Sequence, residues 1–186
     1  SSAASDVYKR QFLHYQDLGP RFSTYSQFLK EVLDDKKTSV PLLSKIKLQP
    51  DIDKHGTIPD QLTQGQELLV QIVKEPISTK GPRLTTEISF TGRYMVLIPF
   101  SDKISISQKI RTTGEKLRLR HLVESIKPKN FGVIIRTSAE GKSVAELNHE
   151  LKTLLKYWDD TIAKARTAPV PSLIFEEENR VVGVLR

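Results

Sequence analysis

The residues best placed to hold an anion lie in one stretch, Gly132–Ser143, which reads Gly-Val-Ile-Ile-Arg-Thr-Ser-Ala-Glu-Gly-Lys-Ser. Gly132–Ile135 is a short apolar run, largely β-branched, that suits a buried strand. Arg136 and Thr137 leave its end side by side. A guanidinium presents a planar fork of N–H donors matched to phosphate or carboxylate oxygens, and the hydroxyl adds another donor. Ser143 and Glu146 have the spacing of a capping box, so a helix N-terminus with its unpaired amides is expected directly after the turn. Two readings stay open: Arg136 as a structural salt-bridge partner, or Arg136-Thr137 as the grip on a phosphate. The ending Gly141-Lys142-Ser143 imitates a nucleotide-binding P-loop, but that loop requires a glycine where Arg136 stands.

Other chemistry is sparse. His14, His55, His121 and His149 stand far apart, in no metal-binding pattern. Glu176–Glu178 reads as a solvated turn. Asp159-Asp160 reads as an outward helix face, and Asp34-Asp35, Asp51 and Asp53 as helix-end and loop charges. No nucleophile–base pair is legible from local spacing. The absence of cysteine excludes disulfides, thiol catalysis and cysteine-ligated zinc within these residues. The chain has 186 residues, 38% hydrophobic, with a net charge of +7. That is enough for one medium domain or two small ones, with a basic balance that favours a polyanionic partner, nucleic acid first. The longest apolar stretch, Met95–Phe100, is too short to span a bilayer.

The elements that must position Arg136 and Thr137 follow from periodicity. Phe12–Tyr15 reads as a strand remnant ending at the Gly19-Pro20 turn. Phe28–Asp35 reads as a helix with Phe28, Leu29, Val32 and Leu33 on one face. Thr38–Asp60, broken by prolines, reads as loop with short pieces of structure. Gln64–Lys74 is expected as a strand, and Glu87–Phe90 with Tyr94–Ile98 as a hairpin around Thr91-Gly92-Arg93. Thr113–Ile126 is a basic amphipathic helix, with Leu119, Leu122, Val123 and Ile126 inward and Lys116, Arg118 and Arg120 outward. Val144–Arg166 is a long helix whose core stripe is Leu147, Leu151, Leu154, Leu155, Trp158 and Ile162. Leu173–Phe175 and Val181–Val184 are final strands. Residues 1–11 (Ser-Ser-Ala-Ala-Ser-Asp-Val-Tyr-Lys-Arg-Gln) look like a translated library adapter and are expected to be foreign to the fold.

Three blocks carry a resemblance. The first is Lys80–Pro99, Lys-Gly-Pro-Arg-Leu-Thr-Thr-Glu-Ile-Ser-Phe-Thr-Gly-Arg-Tyr-Met-Val-Leu-Ile-Pro. The second is Arg136-Thr137 with Gly141-Lys142-Ser143, and the third the Leu-x-x-Trp, Ala-Pro and Leu-Ile sequence after it. Together they resemble the ribonuclease E/G family from about Phe12 to Arg186, apart from a divergent Gln16–Leu62. The resemblance implies an α+β chain: a partial OB-type (S1-like) β-barrel over 12–86, with a helical insertion at about 16–62, then an α/β 5′-sensor domain over 87–182. Residues 183–186 would begin an RNase H-like part, truncated here.

The resemblance also implies roles. Gly92, Val96, Arg136 and Thr137 match the sensor that holds an RNA 5′-phosphate. A further sensor arginine falls on Gln108, beside Lys109. Phe12, Lys74 and Lys80 would face RNA from the OB-type domain. The parent would be a cytoplasmic, homo-oligomeric endoribonuclease acting in rRNA processing and mRNA decay. Its substrate would be single-stranded RNA with a 5′-monophosphate, hydrolysed with Mg²⁺ at aspartates beyond Arg186, so no catalytic residue is expected within the chain. The competing class is a non-catalytic OB-fold RNA-binding or ribosome-associated protein, which would lack paired acidic metal ligands.

Overall fold

A computed structural model of the chain describes residues 13–34, 42–63, 65–73, 83–167, 172–177 and 180–185. The described residues fall into two compact units, one within Ser1–Val40, Gln49–Ile88 and Thr161–Arg186, the other within Pro41–Leu48 and Ser89–Asp160. Each carries a four-stranded sheet, so α and β are mixed as expected. Neither sheet closes into a barrel among the described strands.

In the first unit, helix α1 (Phe22–Asp34) buries Phe28, Leu29, Val32 and Leu33, the stripe read from the sequence. The helix begins earlier than expected, because Phe22 and Tyr25 extend the same stripe by helical steps. Strands β1 (Leu68–Val73) and β2 (Arg83–Thr85) join β7 (Ser172–Glu177) and β8 (Arg180–Leu185) in the antiparallel order β2-β1-β8-β7. The short β2 pairs with residues 71–73 alone, leaving the backbone of Leu69 beyond its reach. The buried Tyr25 hydroxyl fills that gap. It accepts from Leu69 N–H at 2.8 Å and donates to Leu69 C=O.

The expected strand at Phe12–Tyr15 is not found among its described residues, and Tyr15–Asp17 is instead a 3₁₀ turn. Asp17 causes it: its carboxylate accepts from His14 N–H at 3.0 Å, while its own N–H donates to His14 C=O at 3.0 Å. A single helical turn, α2 (Ile58–Gln61), and a 3₁₀ turn at Leu43–Lys45 are the short pieces within the described part of the proline-broken loop.

In the second unit, β3 (Phe90–Thr91) and β4 (Met95–Pro99) form a hairpin where one was expected, but residues 87–89 lie outside its first strand and Thr91 belongs to the strand rather than the turn; β4 pairs antiparallel with β6 (Phe131–Ile135). A strand the sequence reading missed, β5 (Ile104–Ile106), pairs in parallel with β6. Helix α3 (Thr113–Ile126) makes the crossover between these two strands, as parallel strands require. The order is β3-β4-β6-β5. Leu119, Leu122 and Val123 are buried as expected, Ile126 is half-buried, and Arg120 turns back to donate to Ile104 C=O at 3.2 Å.

Helix α4 (Val144–Thr167) completes the core with Leu147, Leu151, Leu154 and Trp158 buried. Leu155 is half-buried, and Ile162 is buried where the helix continues into the first unit. Trp158 meets Phe90, Phe100 and Phe131 edge-on, with ring centroids at 6.5, 5.6 and 6.2 Å, so it serves the core. Segment 42–48 is tied to this unit through the fully buried Asn130, whose Nδ2 donates to Leu43 C=O at 2.9 Å and Ile46 C=O at 2.8 Å.

Candidate functional site

Strand alternation places the side chains. On β4 and β6, Met95, Leu97, Val133 and Ile135 are buried against the core. The intervening residues therefore take the opposite face. Val96, half-buried, pairs in register with Thr91 on one side and with Ile134, 39% exposed, on the other. Arg136 lies two residues beyond Ile134, on that same face by the two-residue period of extended chain.

Arg136 is exposed, and its Nη1 donates to the Gly92 carbonyl at 2.7 Å. Its backbone N–H donates to Tyr94 C=O at 2.8 Å, which extends the β4–β6 ladder by one rung. Among the described residues no other side-chain hydrogen bond or close ion pair of Arg136 forms, while its charge acts on the Glu150 carboxyl. Two of the expected residues, Gly92 and Arg136, are thus in direct contact, and Val96 flanks them through the strand register.

Thr137 opens a 3₁₀ turn, Thr137–Ala139. Its hydroxyl is hydrogen-bonded to the Ser107 hydroxyl at 2.7 Å, and Ser107 Oγ also accepts from Lys109 N–H at 3.2 Å. Ser107 follows β5, so the hydroxyl pair lies just past the carboxyl ends of the two parallel strands, the edge where open α/β sheets bind ligands. Gln108 and Lys109 are exposed beside it. Phe12, Lys74 and Lys80 lie outside the described residues.

The loop after Arg136 is held at every step. Ser138 Oγ donates to Arg93 C=O. Gly141 takes a left-handed backbone, φ +76°, which glycine adopts without steric cost, and its N–H donates to Glu115 on α3. That bond and the Arg118 guanidinium, the larger influence, hold the Glu115 carboxyl below its ordinary range. The expected capping box is present: Ser143 N–H donates to Glu146 Oε2 at 2.8 Å, and Glu146 N–H donates to Ser143 Oγ at 3.2 Å. Lys142 Nζ lies 5.6 Å from the centroid of the Tyr94 ring.

The residues that sequence reasoning passed over are Ser107 and Glu150. Ser107 was hidden because Ile104-Ser105-Ile106 is too short to announce a strand. Glu150, on α4, reads as one more surface charge beside the core stripe. Here both its oxygens accept from Tyr94 N–H, at 3.0 and 2.9 Å. Gly92 does not take a left-handed backbone, and the space its missing Cβ would occupy is filled by the movable end of the Glu150 side chain. A Cβ there would stand 1.5 Å from Glu150 Oε1.

Residues 89–186 match the sequence model of the Ribonuclease E/G family, more than half of the chain. Among curated proteins, the chain is 39% identical over 131 residues to "Ribonuclease E" of Nostoc sp., 36% identical over 133 residues to "Ribonuclease G" of Haemophilus influenzae, and 36% identical over 129 residues to "Ribonuclease G" of Escherichia coli. These matches cover 70%, 72% and 69% of the chain, but 19%, 27% and 26% of the respective relatives. The chain therefore spans about a fifth to a quarter of the length of the curated relatives it matches.

Proposed function

Because the chain belongs to the ribonuclease E/G family, we propose that it supplies the RNA-gripping and 5′-end-sensing portion of a single-strand endoribonuclease acting in RNA processing and decay. The observation that carries this reading is the contact of Arg136 with the Gly92 carbonyl, beside the Thr137–Ser107 hydroxyl pair. One hydrogen bond braces the guanidinium and leaves its other donors for a ligand. Gly92, Val96, Arg136 and Thr137 would then form the 5′-phosphate pocket, with the Val96–Ile134 strip lying under the terminal nucleotide. Gln108, where the resemblance puts a further sensor arginine, has Lys109 beside it, and either could take that contact.

A terminal monophosphate suits this arrangement. It carries more charge than an internal phosphodiester and offers three terminal oxygens to a fork and two hydroxyls. A 5′-hydroxyl offers nothing to grip, and a triphosphate is bulkier. Phe12, Lys74 and Lys80 would hold the downstream strand from an OB-type domain within 12–86, with 87–182 as the sensor. The four pocket residues belong to the second unit, while β7 and β8 pair within the first unit's sheet.

Among the described residues no three His, Cys, Asp or Glu side chains gather as metal ligands, so these residues do not fit a Mg²⁺ site. We place Mg²⁺-dependent phosphodiester hydrolysis in other parts of a homo-oligomeric, cytoplasmic parent. No helix among the described residues is long and apolar enough to cross a membrane.

The test is fluorescence anisotropy with one single-stranded oligoribonucleotide carrying either a 5′-monophosphate or a 5′-hydroxyl. The expected result is tighter binding of the monophosphate by wild type and equal binding by Arg136→Gln. Charge-assisted hydrogen bonds contribute about 1.5–3 kcal/mol each, so the lost preference should be roughly tenfold to a hundredfold. A wild-type protein indifferent to the 5′ group, or an Arg136→Gln variant that keeps the preference, would overturn the reading.

A further inference from the structure

The Glu150 carboxylate lies against Gly92 in the candidate pocket, and its contacts are unusual for a surface acid. Among the described residues its carboxylate accepts from backbone amides rather than from a cation, with Tyr94 N–H shared by both oxygens. Partial burial pushes its carboxyl above the ordinary range, while the amides of Tyr94, Met95 and Arg93 and the nearby charge of Arg136 pull it back. A negative group beside an intended phosphate repels it, so the arrangement needs a compensating reason.

The turn supplies one. Gly92 N–H donates to Met95 C=O at 2.7 Å, closing a tight hairpin connection whose Tyr94 N–H points at Glu150 rather than at a strand. The Gly92 carbonyl of that turn receives Arg136 Nη1. The order of contacts therefore runs from Glu150 to the turn, and from the turn to the guanidinium. We propose that Glu150 is a positioning residue of the 5′-phosphate site: seated in the space Gly92 leaves by lacking a Cβ, its carboxylate fixes the Gly92–Tyr94 turn and, through the Gly92 carbonyl, the Arg136 guanidinium. The proposal rests on the phosphate reading above. Its physical benefit is preorganisation, since a long arginine ordered before the ligand arrives loses less freedom on binding.

This gives Gly92 a role distinct from close approach by RNA. Any side chain at 92 displaces the carboxylate from Tyr94 N–H, so Gly92→Ala and Glu150→Ala should fail in the same way. In the anisotropy assay, each should collapse the monophosphate-to-hydroxyl affinity ratio by about tenfold, the worth of one charge-assisted hydrogen bond, and Glu150→Ala should do so through weaker monophosphate binding, with its 5′-hydroxyl affinity close to wild type. The double variant should be no worse than either single one, because both remove one contact. Glu150→Gln, which keeps an acceptor oxygen in the same shape, should retain most of the ratio. Thermal melts establish that each variant is folded, and the conservative glutamine keeps the idea open to refutation should the alanine variants unfold.

Amide exchange supplies a readout independent of RNA. Tyr94 N–H should be protected in wild type and in Glu150→Gln, and exposed in Glu150→Ala. The proposal is overturned if Glu150→Ala keeps the wild-type ratio, if it binds monophosphate more tightly because the carboxylate was a competitor, or if the two single losses add. A wild-type protein without any 5′ preference overturns the phosphate reading and this role with it, and Tyr94 exchange then reports separately whether Glu150 holds the turn.

Discussion

Arg136 Nη1 stands 2.7 Å from the Gly92 carbonyl oxygen, joining the end of β6 to the turn before β4. The bond fixes a fork of donors at one corner and spares the rest. Arg136→Lys keeps the charge but loses the planar fork, so we expect affinity for 5′-hydroxyl RNA to stay and the monophosphate preference to fall several-fold. Lys142→Gln should leave that preference nearly intact, since Lys142 lies over the Tyr94 ring and makes no contact with the fork. Titrations at several salt concentrations separate the two: Lys142→Gln lowers the salt slope by at most about one unit, and Arg136→Lys leaves it unchanged.

The Tyr25 hydroxyl serves both polar groups of Leu69 in a fully buried site, and burial pushes its ionisation far above the ordinary phenol range. Tyr25→Phe preserves the ring packing and strands a buried N–H and C=O. Chemical denaturation should show a loss of about 1–3 kcal/mol per group left unsatisfied. A midpoint within error of wild type would mean that water reaches Leu69.

Asn130 holds a left-handed backbone, φ +68°, and donates to two carbonyls of segment 42–48. Its own N–H donates to Asp102 Oδ1 at 2.6 Å. Asn130→Gly tolerates the backbone and loses both side-chain bonds, at a cost of about 1–3 kcal/mol. Asn130→Asp turns a donor into a carboxylate facing two carbonyls, and should cost about 3 kcal/mol or more as an unpaired buried charge. Limited proteolysis within 42–48 should quicken in the order wild type, glycine, aspartate; equal rates would show that the segment is held by other contacts.

Two acids of α4 should give opposite pH signatures. Hydrogen bonds from Ser143, the backbone one first, hold Glu146 below its ordinary value of 4.5, so its stabilisation is present above that pH and fades as pH falls through the lowered value. Burial, then the charge of Asp160, raises Asp159 above 3.8, so its contribution is present below that pH and lost as pH rises through the raised value. Melting curves across pH should show Ser143→Ala costing about 1 kcal/mol at neutral pH. Asp159→Asn should raise the midpoint at neutral pH, with the gain shrinking towards pH 3.8. A gain that persists at low pH would trace to something other than charge.

Strong local signals were legible in the sequence. The Thr113–Ile126 helix, the Thr91–Arg93 hairpin, the Ser143–Glu146 box and the core role of Trp158 each depend on periodicity or spacing within a few turns, and each is found. The strand expected at Phe12–Tyr15 failed among its described residues, since Asp17 folds its neighbours into a turn through one side-chain bond. Ile104–Ile106 was missed for the converse reason: three residues hold too little pattern, and pairing with β6 makes them a strand.

The sequence by itself determined which residue types could grip an anion, and that Arg136 and Thr137 leave a strand end together before a capped helix. It could not show that Gly92 and Arg136 touch, that Ser107 meets Thr137, or that Glu150 fills the space beside Gly92. Those contacts join residues 44, 30 and 58 positions apart. They exist because β4 and β6 pair in one register, β5 lies parallel beside β6, and α4 brings its seventh residue down onto the turn. Spacing along the chain encodes what a helix or hairpin repeats; which distant side chains share a corner is decided when the sheet closes over its core.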